Sequence, residues 1–189
     1  MCDGYGTRDS DRITALVRSL SDHDVTITSR REVRPGEVVI TLDQDRRRTD
    51  ATWGICPPGS PGSPSVVNVA KGEEVNINKT FAGAFESYRC LIPIDCWYQW
   101  TGELRDQNYR FQLGDGEPLL MAGILFPSRE ETAVIPLSTR ANTEIARVHE
   151  RMPVFINAEQ AHIWLTAAAK DASPLIGPLS DVEVRIERC

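Results

Sequence analysis

Three segments carry side chains whose chemistry goes beyond what a fold needs: Cys2, directly behind the initiator methionine; residues 89–100, RCLIPIDCWYQW; and His149-Glu150-Arg151-Met152-Pro153. Removal of Met1 leaves Cys2 with a free α-amine and a thiol on adjacent carbons. Such a residue condenses with an aldehyde through nitrogen and then closes a five-membered ring through sulfur, whereas an internal cysteine has its nitrogen tied up in an amide. Near neutral pH an α-amine of pKa about 7.7–8.0 is partly unprotonated, and a thiol of about 8.5 supplies some thiolate. The chemistry suits a sugar aldehyde and needs no metal. His149 belongs to the one residue type that takes and gives protons near neutrality in its unperturbed state. Each residue also has a plainer reading. A cysteine at position 2 is often an accident, His149 can simply serve carbonyls at a helix end, and Trp97 and Trp100 read as core rather than as stacking platforms.

The elements that position these residues are mostly strands. Ser10-Asp11 ahead of Ile13, Leu16, Val17 and Leu20 predicts a capped amphipathic helix. Strands are expected at 38–42, launched from the turn Arg34-Pro35-Gly36, and at 51–55, 109–113, 119–125 and 133–137. Residues 81–85 suggest a short helical turn, followed by an apolar strand over 89–100 that Pro93 breaks. Residues 142–149 and 159–168 read as helices, and 182–186 as an edge strand. The run PPGSPGSP at 57–64 is a surface loop. The sum is a strand-rich α+β domain, without repeats or an alternating βαβ pattern, occupying residues 1–189 as one unit.

Composition narrows the function classes. The 189 residues carry a net charge of −6, with 25% charged and 41% hydrophobic residues, and no apolar stretch approaches the 18 or so residues of a membrane span. No signal peptide is apparent, so an intracellular, cytoplasmic protein without membrane contact is expected. Five cysteines (Cys2, Cys56, Cys90, Cys96, Cys189) form no CxxC pair, and the three histidines show no ligand spacing, so no metal site is expected. The acidic balance argues against broad charge-driven nucleic-acid binding, so any such binding is local. Arg30, Arg31 and Arg34, and again Arg46, Arg47 and Arg48, cluster in the sequence; the plain reading is a solvated face.

Taken together, the order Met1-Cys2, Trp53-Gly54-Ile55-Cys56-Pro57, Asn68, Asp95-Cys96-Trp97-Tyr98-Gln99-Trp100 and His149-Glu150-Arg151-Met152-Pro153 resembles the SRAP (SOS response-associated peptidase) family, whose members process abasic sites. Arg34-Pro35-Gly36 and Leu120-Met121-Ala122-Gly123-Ile124 add agreement at a turn and a core strand. The resemblance implies a barrel-like β core with flanking helices around a groove for single-stranded DNA, with no cofactor and a monomeric state. It implies that Cys2, freed of Met1, attacks the ring-opened deoxyribose aldehyde and closes a thiazolidine, leaving protein and DNA covalently joined. His149 then moves protons at the sugar, and Asn68 holds Cys2 or the sugar oxygens, with Asn76 and Asn78 as competing asparagines. Arg151, Lys71, Ser138 and Pro35 are the implied DNA contacts, and Asp95 orients the strand. The alternatives are a thiol peptidase using Cys2 and His149, and a reversible, non-catalytic lesion-binding module.

The chain also departs from the family. Gln99 stands where the family has glutamate; an amide does not titrate, so if proton transfer matters there the rate falls by about 10²–10⁴. The glutamine is either a variant that leaves the proton work to His149 or a change that traps a state. Asp3-Gly4-Tyr5 replaces a Gly-Arg-aromatic triplet, which removes a basic residue and sets an acid beside Cys2; Arg8 is the candidate to compensate.

Overall fold

The computed structural model describes residues 3–56, 66–102, 105–179 and 182–189. In chain order the strands are β1 (Gly4–Gly6), β2 (Val38–Leu42), β3 (Arg48–Trp53), β4 (Ala70–Lys71), β5 (Arg89–Ile94), β6 (Cys96–Thr101), β7 (Gln107–Leu113), β8 (Leu119–Pro127), β9 (Thr132–Arg140), β10 (Arg151–Pro153), β11 (Phe155–Ile156) and β12 (Val184–Arg188). The helices are α1 (Ser10–Leu20), α2 (Ala82–Ser87), α3 (Ala161–Thr166) and α4 (Ala169–Ala172). Strands β9, β3, β2, β5 and β8 pair in that order, and the β8–β9 ladder closes them into a five-stranded barrel. Strands β4 and β10 extend the barrel along β9, and β11 extends it along β8. A second sheet, β1-β6-β7-β12, continues from β5 through the single residue Asp95.

The barrel explains why the strand sequences read as unbroken apolar runs: both faces are buried. Inside it lie Val39, Ala51, Trp53, Cys90, Ile92, Ile94, Met121, Leu125 and Val134, joined by Tyr5, Trp97, Phe111 and Val184 from the second sheet. The alternate residues Leu42, Leu91, Leu120, Ala122, Ile124, Ile135 and Leu137 face outward, under Ile13 and Val17 of α1, Phe85 of α2 and Trp164 of α3. Period-two alternation thus assigns each side chain to one of two cores.

Arg89 is a buried cation, 1% exposed, that donates to the carbonyls of Trp164 (2.6 Å), Phe85 (2.5 Å), Glu86 (3.3 Å) and Ala167. It therefore satisfies the otherwise orphaned C-terminal carbonyls of α2 and α3 and ties both helices to β5.

Several expectations need correction. Asp9, not Ser10, caps α1: its side chain accepts from the Arg12 N–H at 3.2 Å. Pro93 does not break the strand. It pairs with Leu120 inside β5, which meets β2 only at Leu91, so beyond that point one edge of β5 has no ladder partner to miss an N–H. The break falls at Asp95, whose N–H donates to Gly6 and whose Oδ2 accepts from the Asp9 N–H at 2.6 Å. Residues 142–149 do not form an α-helix. The Asn142 side chain accepts from the Ile145 N–H, and only a 3₁₀ turn at Ile145–Arg147 follows. Residues 159–168 split into the end of a 3₁₀ turn and the short α3, which stops at Thr166; Ala167 and Ala168 are non-helical and precede α4. The predicted loop at 57–64 lies outside the described residues.

Candidate active site

The site forms where β6 meets β10. Alternate residues of β6 face opposite ways. Trp97 and Gln99 turn toward the barrel core, Trp97 stacking on Phe111 with ring centroids 5.2 Å apart. Gln99 is fully buried; it receives the Trp97 Nε1–H at 3.4 Å and donates from Nε2 to the Arg151 carbonyl at 2.7 Å.

The Arg151 peptide is the centre of the cluster. His149, reached through the 145–147 turn, sets Nδ1 3.0 Å from both the N–H and the carbonyl of Arg151. Burial pulls the half-buried His149 imidazole below its ordinary range, although the negative charges of Asp3 and Glu150 act in the opposite sense. It is therefore neutral at physiological pH.

Asp3 brings the beginning of the chain to the same place. Its N–H donates to the Tyr98 carbonyl at 2.9 Å, and its Oδ2 accepts from the Trp100 N–H at 2.9 Å, two bonds that bracket Gln99. The other carboxylate oxygen pairs with Arg105. Cys2 lies outside the described residues, so what the structure gives is the anchorage of the residue that follows it.

The Arg151 guanidinium points along β9. It makes a bidentate pair with Glu73 at 3.0 and 2.8 Å, and it donates to Ser138 O at 2.7 Å and Ser138 Oγ at 3.1 Å. Burial works against the charged form of Glu73, but the Arg151 hydrogen bonds, the Glu73 backbone N–H, the Arg151 charge and the Thr139 hydroxyl outweigh it and bring Glu73 down to about 2. Ser138 is buried and sits directly across from Lys71 in the parallel β4–β9 ladder, while Arg140 sits across from Arg151. Cross-strand partners and i, i+2 neighbours share a face, so Lys71, Ser138, Arg140 and Arg151 form one polar row. Lys71 is exposed and stands 3.4 Å from Glu74.

Asn68 occupies a neighbouring position at the end of β3. Its carbonyl accepts the Trp53 Nε1–H at 2.7 Å, and its Oδ1 is buried without a hydrogen-bond partner among the described residues. That oxygen lies so close to Gly54 that a Cβ there would meet it at 2.8 Å, and Gly54 has φ +117°. The glycine behind Trp53 is thus required twice over, by conformation and by space. Asn78 instead spends its side chain on the Thr80 N–H, and Asn76 is exposed. Pro35, at the turn before β2, has no described contact with Gln99, His149 or Arg151; its neighbour Gly36 donates to the Trp53 carbonyl at 2.8 Å.

The structure therefore brings Gln99, His149, Arg151 and Ser138 into one connected cluster, sets Lys71 on its rim and Asn68 beside Trp53-Gly54, and leaves Pro35 apart. Two readings change. Arg8 cannot stand in for the missing basic residue, because it lies on the other face of β6, bonded to the Tyr98 hydroxyl at 2.6 Å. The basic group next to Asp3 is Arg105. Sequence reading missed Glu73 and Arg105; each acts through partners distant in sequence, Glu73 through Arg151 and Thr139 and Arg105 through Asp3, and no local pattern marks either. The arginine clusters at 30–34 and 46–48 are largely ion-paired, Arg30 with Glu37, Arg34 with Glu32, Arg46 with Asp22 and Arg48 with Asp50. Among the described residues no group of three or more His, Cys, Asp or Glu is arranged to hold a metal ion, and no helix is long and apolar enough to cross a membrane.

Comparison with known proteins places this geometry. The family model for SOS response associated peptidase (SRAP) matches residues 1–188. The chain is similar to a Bacillus subtilis (strain 168) protein named Abasic site processing protein YoqW, 23% identical over 164 residues and covering 74% of this chain and 67% of the relative. It is also similar to Abasic site processing protein YoaM of the same organism, 26% identical over 157 residues, with 75% and 67% covered. Among solved structures, a Bordetella bronchiseptica protein superposes with a TM-score of 0.78 at 20% identity over 100% of this chain and 99% of that one. A Bacteroides thetaiotaomicron protein does so with a TM-score of 0.80 at 15% identity, over 99% and 91%. At these identities the likeness to the solved structures is one of fold.

Proposed function

The chain belongs to the SOS response associated peptidase (SRAP) family, and from that premise we propose that it captures abasic sites in single-stranded DNA through Cys2 once Met1 has been removed. The observation that supports the reading most directly is the pinning of Asp3 on both sides of Gln99, which holds the residue after Cys2 against the strand that carries Gln99.

The chemistry is balanced without a cofactor. A proton passes from the sugar's anomeric hydroxyl to its ring oxygen, opening the ring and exposing the aldehyde; His149 serves as acceptor and donor. The Cys2 nitrogen adds to the aldehyde carbon, water leaves, and an imine remains. The Cys2 sulfur then adds to the imine carbon while the thiol proton goes to nitrogen, closing the thiazolidine. Gln99 takes no part as an acid or base. Lys71 and Arg140, the exposed cations of the polar row, contact phosphates; Arg151 holds the row in place and its pair with Glu73 keeps it there.

The test is incubation of Met1-trimmed protein with a single strand carrying one abasic site, followed by a denaturing gel. A shifted band that disappears when the α-amine is blocked while the thiol stays free supports the proposal. No shifted band with the trimmed protein, together with salt-sensitive reversible binding, would establish the lesion-binding module instead. Peptide hydrolysis that survives amine blocking would establish the thiol peptidase.

A further inference from the structure

We infer that Gln99 is a positioning residue that sets the tautomer of His149 through the peptide group of Arg151. Residue 99 touches two polar groups of opposite kind. It is fully buried between one group that only donates, the Trp97 indole N–H, and one that only accepts, the Arg151 carbonyl. A primary amide answers both at once, oxygen to the indole and nitrogen to the carbonyl. An ionised carboxylate would turn an oxygen against the carbonyl oxygen. In this chain the amide is therefore the group that completes the polar cluster, rather than a glutamate with its function removed.

The consequence passes to His149. Its Nδ1 lies 3.0 Å from both the Arg151 N–H and the Arg151 carbonyl, and it can serve only one of them. A bare Nδ1 accepts from the N–H, which places the imidazole proton on Nε2; a protonated Nδ1 donates to the carbonyl and leaves Nε2 bare. Gln99 already supplies the carbonyl with a hydrogen at 2.7 Å. The remaining need of that peptide is an acceptor for its N–H, and only a bare Nδ1 meets it, because a buried amide left without a partner is costly. The neutral imidazole accordingly carries its proton on Nε2, the nitrogen turned away from the Arg151 backbone. On the reading of the function given above, which this last step rests on, His149 meets the sugar with its Nε2–H as a hydrogen-bond donor to the ring oxygen.

The test needs no DNA and so fails or succeeds independently of the crosslinking proposal. Protein with ¹⁵N-labelled histidines is examined by long-range ¹H–¹⁵N correlation at one and the same pH, above the imidazole pKa. His149 is assigned by its loss in H149N, and His23 and His162 serve as internal controls. The wild-type protein is expected to show the Nε2–H tautomer. Q99M keeps the length and volume of the side chain but has no donor; it is expected to move His149 about tenfold toward Nδ1–H, leaving the controls unchanged. A folded Q99M protein with an unchanged tautomer would overturn the inference. So would an Nδ1–H tautomer in the wild type, a result that stands even if Q99M does not fold.

Discussion

The two faces of β6 use similar materials to opposite ends. On one, Cys96 and Tyr98 are packed with Arg8 and the Arg31 carbonyl: the Tyr98 hydroxyl receives the Arg8 guanidinium at 2.6 Å and donates to Arg31 at 3.2 Å. Burial raises the Cys96 thiol and pushes Tyr98 up to about 12, so both stay protonated and inert across the physiological range. On the other face, Gln99 bonds a peptide group rather than a charge, and the neighbouring His149 is pulled below its ordinary range, which leaves the imidazole without its second proton. Burial is at work on both faces. What separates them is which group is buried: desolvation makes a thiol or a phenol unreactive at neutral pH, and the same force leaves an imidazole unprotonated and able to transfer a proton.

Substitutions on the two faces sharpen that contrast. The largest effect is expected for H149A, which should slow crosslink formation by about 10²–10⁴ in single-turnover gel assays. Y98F should leave the rate unchanged and cost about 1.5–3 kcal/mol in urea unfolding, the worth of a hydrogen bond to a charged group. A comparable rate loss in Y98F would erase the distinction between the faces. The pH profile divides them in the same way. Because burial lowers the folded His149 below its ordinary range, its imidazole should stay neutral as pH falls through about 6.5 and take up a proton only at lower pH in an NMR titration; Y98F should leave that titration in place. A His149 midpoint at or above the ordinary histidine value would contradict the burial argument.

E73Q probes the support behind the site. Breaking the pair with Arg151 should destabilise the fold by about 1–2 kcal/mol at neutral pH, the lower part of the range for a paired buried charge because the Glu73 side chain is 40% exposed. Glu73 is depressed to about 2, so its contribution is fully present above the unfolded carboxylate pKa and is lost as pH falls from there through about 2. Wild-type and E73Q unfolding midpoints should therefore converge in acid. The smallest effect is on binding. If Lys71 contacts one phosphate, K71A should reduce the slope of log affinity against log salt by about 0.7, the single-strand value for one released counterion. An unchanged slope would remove Lys71 from the interface.

Much of this was legible in the sequence, and the failures have physical causes. The runs at 89–94 and 119–127 announce strands buried on both faces, and the order of Cys2, residues 95–100 and 149–153 points to the site. Pro93 misleads because local rules cannot know that β5 has lost its β2 neighbour at that point. Residues 142–149 have helical composition, but the Asn142 side chain caps a tighter turn and the chain must then pair with β9 at Arg151. Glu73 and Arg105 are silent because each acts through a partner that only the barrel brings near. Gln99 was read against the glutamate it replaces; its own partners, an indole N–H and a peptide carbonyl, become visible only when β6 and β10 are seen together.

Capture of the aldehyde through Cys2 requires its nitrogen and its sulfur both to react. Mass spectrometry of the protease-digested adduct, formed from trimmed protein and a single strand bearing one abasic site, tests this most directly. The prediction is an N-terminal peptide that carries the sugar on Cys2 at the summed mass less one water, with neither the α-amine nor the Cys2 thiol open to modification. An adduct mapped to a lysine, or a Cys2 thiol still free to alkylate in the crosslinked species, would contradict it.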